Sequence, residues 1–285
     1  DDDGPFGQVS ATVFHFDASD LRIRLSPACA RVAPPPPPNA RAVALQSVAQ
    51  VVYTSGSTGT PKGVIYSHRR LAFACHFFAA SCGIADGTRV LQKTPYIWAV
   101  FRHEVFPALA HGGEVVFAGP GQRKDPRVLA ELIRDHGIEV VVATPSVLEL
   151  ILDAGALPSL KTAVCMGEGL PKSLAGRILE RSGGLRLLNF YGSTETENTC
   201  FEVPRPGTVR WQLLRQRYIP AGRPQPCVSV HILVPEGADV CPLGAEGEIC
   251  FGGVLSDGYW GKPEMTAERF VHHPRLGRIY RTGDL

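Results

Sequence analysis

The sequence predicts an α/β protein: mostly parallel sheets with crossover helices, plus a β-rich subdomain. From Gln50 onward, short strand-like apolar runs alternate with stretches of helical periodicity, the rhythm of crossover units. Further along the pattern changes, because residues 228–234 and 248–251 are strand-like and a Gly/Pro-rich stretch with no helix joins them. At 285 residues the chain has room for one large α/β unit or for two domains.

Residues 1–45 carry little pattern. An apolar alternation near Val13 to Phe16 is followed by Ala33 and the run Pro34 to Pro38, a short polyproline spacer. The apolar run from Val51 to Tyr53 is a strand that leads into a Gly/Ser/Thr-rich loop. The first helix takes Ser67 as N-cap, an apolar row at Leu71, Ala74, Phe77 and Phe78, and Gly83 as its stop. Another starts at Asp125, with Pro126 in its first turn, and ends at Gly137. Strands are expected over 114–118, 139–144, 162–166 and 185–190, with a helix over 171–181 linking the last two.

Composition excludes several classes of function. An apolar fraction of 44% with 20% charged residues is ordinary for a soluble globular protein. A formal net charge of +2 gives no electrostatic case for nucleic acid or an acidic membrane as partner. No apolar run reaches the roughly 18 residues of a membrane-spanning helix, and the start Asp1-Asp-Asp-Gly4 is the reverse of a basic signal region. Eight cysteines without a C-x-x-C pair read as reduced core thiols of a cytoplasmic protein. The nine histidines, His272 and His273 included, show no metal-ligand pattern. A first residue other than Met points to a fragment or a processed chain.

Chemistry gathers in three loops, each placed after a strand-like run, where open α/β sheets bind their ligands. The first follows Tyr53 and contains Thr54, Ser55, Gly56, Ser57, Thr58, Gly59 and Lys62. Its glycines let backbone N–H groups approach an anion, its hydroxyls add donors or a metal contact, and Lys62 brings a compact positive charge. A solvated Gly/Ser/Thr turn is the alternative, weakened by five hydroxyls, three glycines and a lysine in one loop. The common nucleotide loop, G-x-x-x-x-G-K-[ST], is not matched, because Pro61 precedes Lys62 and Gly63 follows it. The second loop is Gly167-Glu168-Gly169 and the third is Tyr191-Gly192-Ser193-Thr194-Glu195. Together they offer close-approach glycines, an aromatic face for a base, hydroxyls for phosphate and a carboxylate for Mg²⁺.

These residues resemble a family. Tyr53-Thr-Ser-Gly-Ser-Thr-Gly-Thr-Pro-Lys-Gly63, Tyr191-Gly-Ser-Thr-Glu195 and Tyr280-Arg-Thr-Gly-Asp-Leu285 look like three core motifs of the AMP-forming adenylating enzymes. That family includes acyl-CoA synthetases, luciferases and the adenylation domains of nonribosomal peptide synthetases. Ala221-Gly-Arg-Pro224, Gly247-Glu-Ile249 and the run from Gly258-Tyr-Trp-Gly-Lys-Pro263 to Ala267-Glu-Arg-Phe270 most resemble the peptide-synthetase domains. The resemblance implies an AMP-binding domain with an α/β nucleotide-binding core at 46–210 and a β-rich part at 211–285, preceded by an unassigned segment at 1–45. It also implies a truncated core, incomplete at both ends, without the small C-terminal domain and its lysine.

The implied reaction has two steps. A carboxylate attacks the α-phosphate of ATP, pyrophosphate leaves, and the acyl-adenylate passes to a phosphopantetheine thiol on a carrier protein or to CoA. By similarity, residues Thr54 to Gly59 with Lys62 hold the β- and γ-phosphates, Thr194 contacts the α-phosphate, and Glu195 holds Mg²⁺. Tyr191 stacks on adenine beside Gly167, Glu168 and Gly169, with Asn189 near the base edge and Gly192 and Ser193 in the same loop. Asp284 accepts the ribose hydroxyls, a task suited to a carboxylate with two acceptor oxygens and no donor. The implied acyl pocket comprises Ala99, Val100, His103, Val142, Val164, Met166, Phe190, Asn198 and Thr199, although plain core packing explains its aliphatic members equally well. Amino-acid-activating members carry an aspartate where this chain has Ala99, so an aryl, α-keto, α-hydroxy or fatty acid is expected. Glu104 is the nearest acid that could substitute. Two other readings stay open from sequence: a kinase or other phosphate-loop NTPase, and a non-catalytic nucleotide binder.

Overall fold

The computed structural model describes residues 15–17, 22–24, 44–54 and 60–285. The polyproline run and the loop residues Ser55, Gly56, Ser57, Thr58 and Gly59 lie outside the described residues.

Short strands β1 (His15–Asp17) and β2 (Arg22–Arg24) come first, followed by the antiparallel hairpin of β3 (Val48–Thr54) and β4 (Lys62–Ser67), in which Thr54 sits opposite Lys62. Helix α1 (His68–Cys82) starts directly after β4. The Ser67 hydroxyl accepts from the Arg70 N–H, and Gly83, at φ 74°, closes the helix in the left-handed region. Next are β5 (Arg89–Gln92), α2 (Phe101–Ala110), β6 (Glu114–Phe117), α3 (Pro126–Asp135), β7 (Val140–Ala143), α4 (Pro145–Asp153), β8 (Thr162–Cys165), α5 (Lys172–Arg181) and β9 (Arg186–Tyr191).

Strands β6, β5, β7, β8 and β9 pair in that order and in parallel. Antiparallel strands extend both edges: β2 and β1 beyond β6, then β10 (Thr199–Glu202) and β11 (Arg223–Pro224) beyond β9. Alternation along the strands gives the sheet two apolar faces. Val141, Ala143, Ala163, Cys165 and Leu187 face the apolar sides of α3, α4 and α5, while Val140, Val142, Val164, Leu188 and Phe190 pack with Phe78 of α1 and Val105 of α2.

After the small helix α6 (Val209–Leu213), a second sheet orders β12 (Val228–Leu233), β13 (Glu248–Gly253), β15 (Gly277–Arg281) and β14 (Phe270–His273), all antiparallel, with α7 (Pro263–Arg269) ahead of β14. Its core continues into the β3–β4 hairpin, where Val52, Val64 and Tyr66 pack with Phe251, Tyr259, Phe270 and Tyr280.

One expectation changes here. The phosphate-loop residues do not follow a strand of the parallel sheet, because β3 and β4 form a two-stranded sheet of their own. Thr54 and Lys62, which flank that loop in sequence, are paired in the hairpin, and the hairpin packs against the second sheet.

Candidate active site

Thr54 and Lys62 of the first motif, residues 167–169 of the second and residues 191–195 of the third line one cleft of about 640 Å³. On the hairpin side, Lys62 at the start of β4 directs its Nζ to Glu195 Oε1 at 2.7 Å and to the Tyr259 hydroxyl at 3.1 Å. The Tyr259 hydroxyl donates to the same carboxylate oxygen at 2.9 Å. Glu195 is buried, which alone would raise its carboxyl, but the Lys62 ammonium and the Tyr259 hydroxyl outweigh burial and hold it below the ordinary value of 4.5. Burial, the Tyr280 hydroxyl and the nearby Glu195 charge push the Tyr259 phenol far up, so it serves as a neutral donor.

The loop after β9 is braced from behind. The Thr194 carbonyl accepts from Arg70 Nη2 at 2.9 Å and from the Tyr66 hydroxyl at 2.5 Å, and Ser193 N–H donates to Thr196 Oγ1 at 3.0 Å. Gly192 is required by close approach, since a Cβ there would lie 2.5 Å from Asn198 Oδ1. The Tyr191 hydroxyl donates to Asp284 Oδ2 at 2.6 Å, joining the end of β9 to the loop after β15. Burial and this bond raise the Tyr191 phenol well above its ordinary range. At the end of β8, Gly167 takes φ 87° and the exposed Glu168 accepts from Ser146 Oγ at 2.9 Å. Asn189 Nδ2 donates to the Pro220 carbonyl at 2.9 Å, so its amide fixes one wall of the cleft.

Of the residues singled out for nucleotide, Thr54, Lys62, Gly167, Glu168, Gly169, Asn189, Tyr191, Gly192, Ser193, Thr194 and Glu195 line the cleft. Asp284 joins through the Tyr191 hydroxyl. Of those singled out for the acyl group, Ala99, Val100, His103, Met166, Phe190 and Asn198 line it. Val142 and Val164 are instead fully buried in the core with Phe78, and the Thr199 hydroxyl is tied to the Ala221 carbonyl at 2.6 Å. Glu104 does not offer a free acid. It is fully buried, 3.7 Å from Lys93 Nζ, and accepts from the backbone N–H of Lys93 and Thr94 and from the Thr94 hydroxyl. Four wall residues, Arg102, Ile219, Ala221 and Tyr280, and the buried Tyr259, were not singled out from sequence. Tyr259 and Tyr280 stood inside quoted motifs, whereas nothing local marked Arg102.

The chain belongs to the AMP-binding enzyme family, whose sequence profile matches residues 5–260. Pyochelin synthetase PchF of Pseudomonas aeruginosa is 37% identical over 257 residues, which is 88% of this chain and 14% of that protein. Phosphinothricin tripeptide synthetase PhsB of Streptomyces viridochromogenes is 38% identical over 252 residues, 85% of this chain and 20% of that protein. The chain thus spans a fifth or less of the length of either relative. Among solved structures, the nonribosomal peptide synthetase FmoA3 superposes with a TM-score of 0.76 at 30% identity over 84% of this chain and 26% of that one, as does its AMPPNP-bound form. The N-terminal subdomain of Klebsiella oxytoca NpsA, at 24% identity and a TM-score of 0.73, shares the fold over 85% of this chain and 62% of its own.

Proposed function

We propose that this chain is the ATP-binding part of an AMP-forming ligase that activates a carboxylic acid as its acyl-adenylate for transfer to a phosphopantetheine thiol of a carrier protein or CoA. In the first step a carboxylate oxygen bonds to the α-phosphorus, the bond from that phosphorus to the bridging oxygen breaks, and pyrophosphate departs. In the second, a thiol sulfur bonds to the acyl carbon and AMP leaves, keeping the oxygen that came from the acid.

The observation that carries this reading is the meeting of Lys62, from the hairpin, with Glu195, from the end of the parallel sheet, at the wall of one cleft. Lys62, Thr54 and the loop residues 55–59 are assigned to the β- and γ-phosphates, Thr194 to the α-phosphate, Tyr191 with residues 167–169 to adenine, and Asp284 to the ribose. Glu195 fits a Mg²⁺ ligand: it is an ionised carboxylate lining the cleft, and such ions need only one or two carboxylates beside the phosphates. A bound Mg²⁺ would offset phosphate charge as pyrophosphate forms. Residues 46–210 and 211–285 are read as the α/β core and the β-rich part of one AMP-binding domain. Seven unpaired cysteines among the described residues fit a reducing cytoplasm.

With Ala99 in the wall and Glu104 engaged elsewhere, neither position offers a substrate α-ammonium a counter-charge, and burying one unpaired costs several kcal/mol. Acids without that group are therefore the expected substrates. Acid-dependent pyrophosphate exchange by the full-length protein tests this, comparing α-amino acids with their α-keto and α-hydroxy analogues. The expected outcome is preference for the analogues, shifted towards the amino forms by Ala99→Asp. A strong wild-type preference for the amino forms contradicts it.

A further inference from the structure

The inner wall of the cleft holds an unbalanced positive charge. Arg102, in the first turn of α2, lies three residues after Ala99, its N–H reaching the Ala99 carbonyl at 3.3 Å, and both residues line the cleft. Each buried carboxylate around it already has a basic partner: Glu195 has Lys62 at 2.7 Å, Glu104 has Lys93 at 3.7 Å, and Glu197 has Arg70 at 2.8 Å. Among the described residues Arg102 forms no ion pair. Its guanidinium lies 4.3 Å from the Tyr66 ring centroid, its Nε and Nη2 stand 3.4 Å from His103 Nε2, and its Nη1 has no partner. Sharing Glu197 between the two guanidiniums changes nothing, because Arg70 and Arg102 together still carry one charge more than that carboxylate cancels. His103 adds none: burial, then the Arg102 and Arg70 charges, hold its imidazole well below the ordinary range and keep it neutral.

Arg102 is only 3% exposed, and the carboxylate whose charge reaches it, Glu197, is already paired with Arg70, so this buried cluster keeps one cation in excess. An anion entering from the cleft would supply the missing charge, and the Asn198 amide, 3.5 Å from His103 Nε2, is a further donor on the same wall. An ammonium at this wall would be repelled. We propose that Arg102 determines specificity by selecting a carboxylic acid that carries a second anionic group, such as a dicarboxylic acid, bound with its unreacted carboxylate towards Arg102. This rests on the acid-activating reading above and narrows its substrate class.

The test is pyrophosphate exchange by the full-length protein with matched pairs of acids, each a dicarboxylic acid and its mono-amide. Wild type should favour the dicarboxylic member by about 30-fold or more in kcat/KM, the least expected when one partner of a buried charge pair is removed. Arg102→Met should abolish that preference while ATP affinity, measured by calorimetry, stays unchanged, and Arg102→Lys should retain part of it. Equal use of the two members by wild type overturns the proposal. So does a preference that survives in Arg102→Met, or a loss in that variant that is uniform across all acids, which would place Arg102 on the reacting carboxylate. If Arg102→Met does not fold, the wild-type pairs and Arg102→Lys decide. Absence of exchange with every acid would overturn the acid-activating reading itself.

Discussion

Lys62 and Glu195 are brought together by elements that share no sheet, and their contact reports directly on the cleft wall. A carboxylate with 4% exposure is stable there only because two donors converge on Oε1. Its folded value lies below its unfolded one, so the stabilisation is present above the unfolded value and is lost as pH falls through the folded one. Thermal melts of wild type and Glu195→Gln should therefore differ at neutral pH, wild type being the more stable, and converge as the pH is lowered below the ordinary carboxylate value of 4.5. A gap independent of pH would show that the Glu195 charge contributes nothing. The same pair explains a limit of sequence reading. The motifs named Lys62 and Glu195 separately, for phosphate and for metal, but nothing local announced that each is the other's partner.

Where an element's signals were local, they were legible. Helix α1 has its cap serine, its stop glycine and a buried Ala74 and Phe78 where the pattern put them. Helix α4 was hidden because its Val147 to Leu152 run is apolar nearly throughout, and Leu150 stays 53% exposed while Leu148, Ile151 and Leu152 pack inward. Helix α2 contains Pro107, an apparent breaker, and buries charged residues that binary patterning assigns to solvent. Strand β14 is held by pairing with β15, and β15 by pairing with β13, which a short sequence window does not contain. The β10–β11 edge makes a sharper claim. Gly222 has φ 95°, and a Cβ there would lie 2.1 Å from the Cys200 carbonyl oxygen, a backbone atom that cannot yield. Gly222→Ala should therefore lower unfolding free energy by about 2 kcal/mol or more in denaturant titrations. An unchanged midpoint would mean that the edge is not packed as described.

Taken whole, the molecule sets its cleft where the carboxyl ends of β8 and β9 meet the hairpin and the second sheet, a position only partly readable from the chain. Met166 and Phe190 reach the cleft from strand ends, whereas Val142 and Val164 share their sheet face but lie deeper, sealed beneath α1 and α2. Sequence spacing identifies the face of a strand, but depth is set by what packs over it. Arg102 escaped notice for the related reason that its importance lies in the absence of a counter-charge, which is visible only after every neighbouring acid has been paired in space. No helix among the described residues is long and apolar enough to cross a membrane. The assembled cleft is read as the place where a carboxylate oxygen attacks the α-phosphorus of ATP. Supplying the full-length protein with ¹⁸O-labelled acid, ATP and a thiol acceptor follows that bond directly. The labelled oxygen is expected in AMP, with pyrophosphate unlabelled; label in inorganic phosphate with ADP as product would contradict the account.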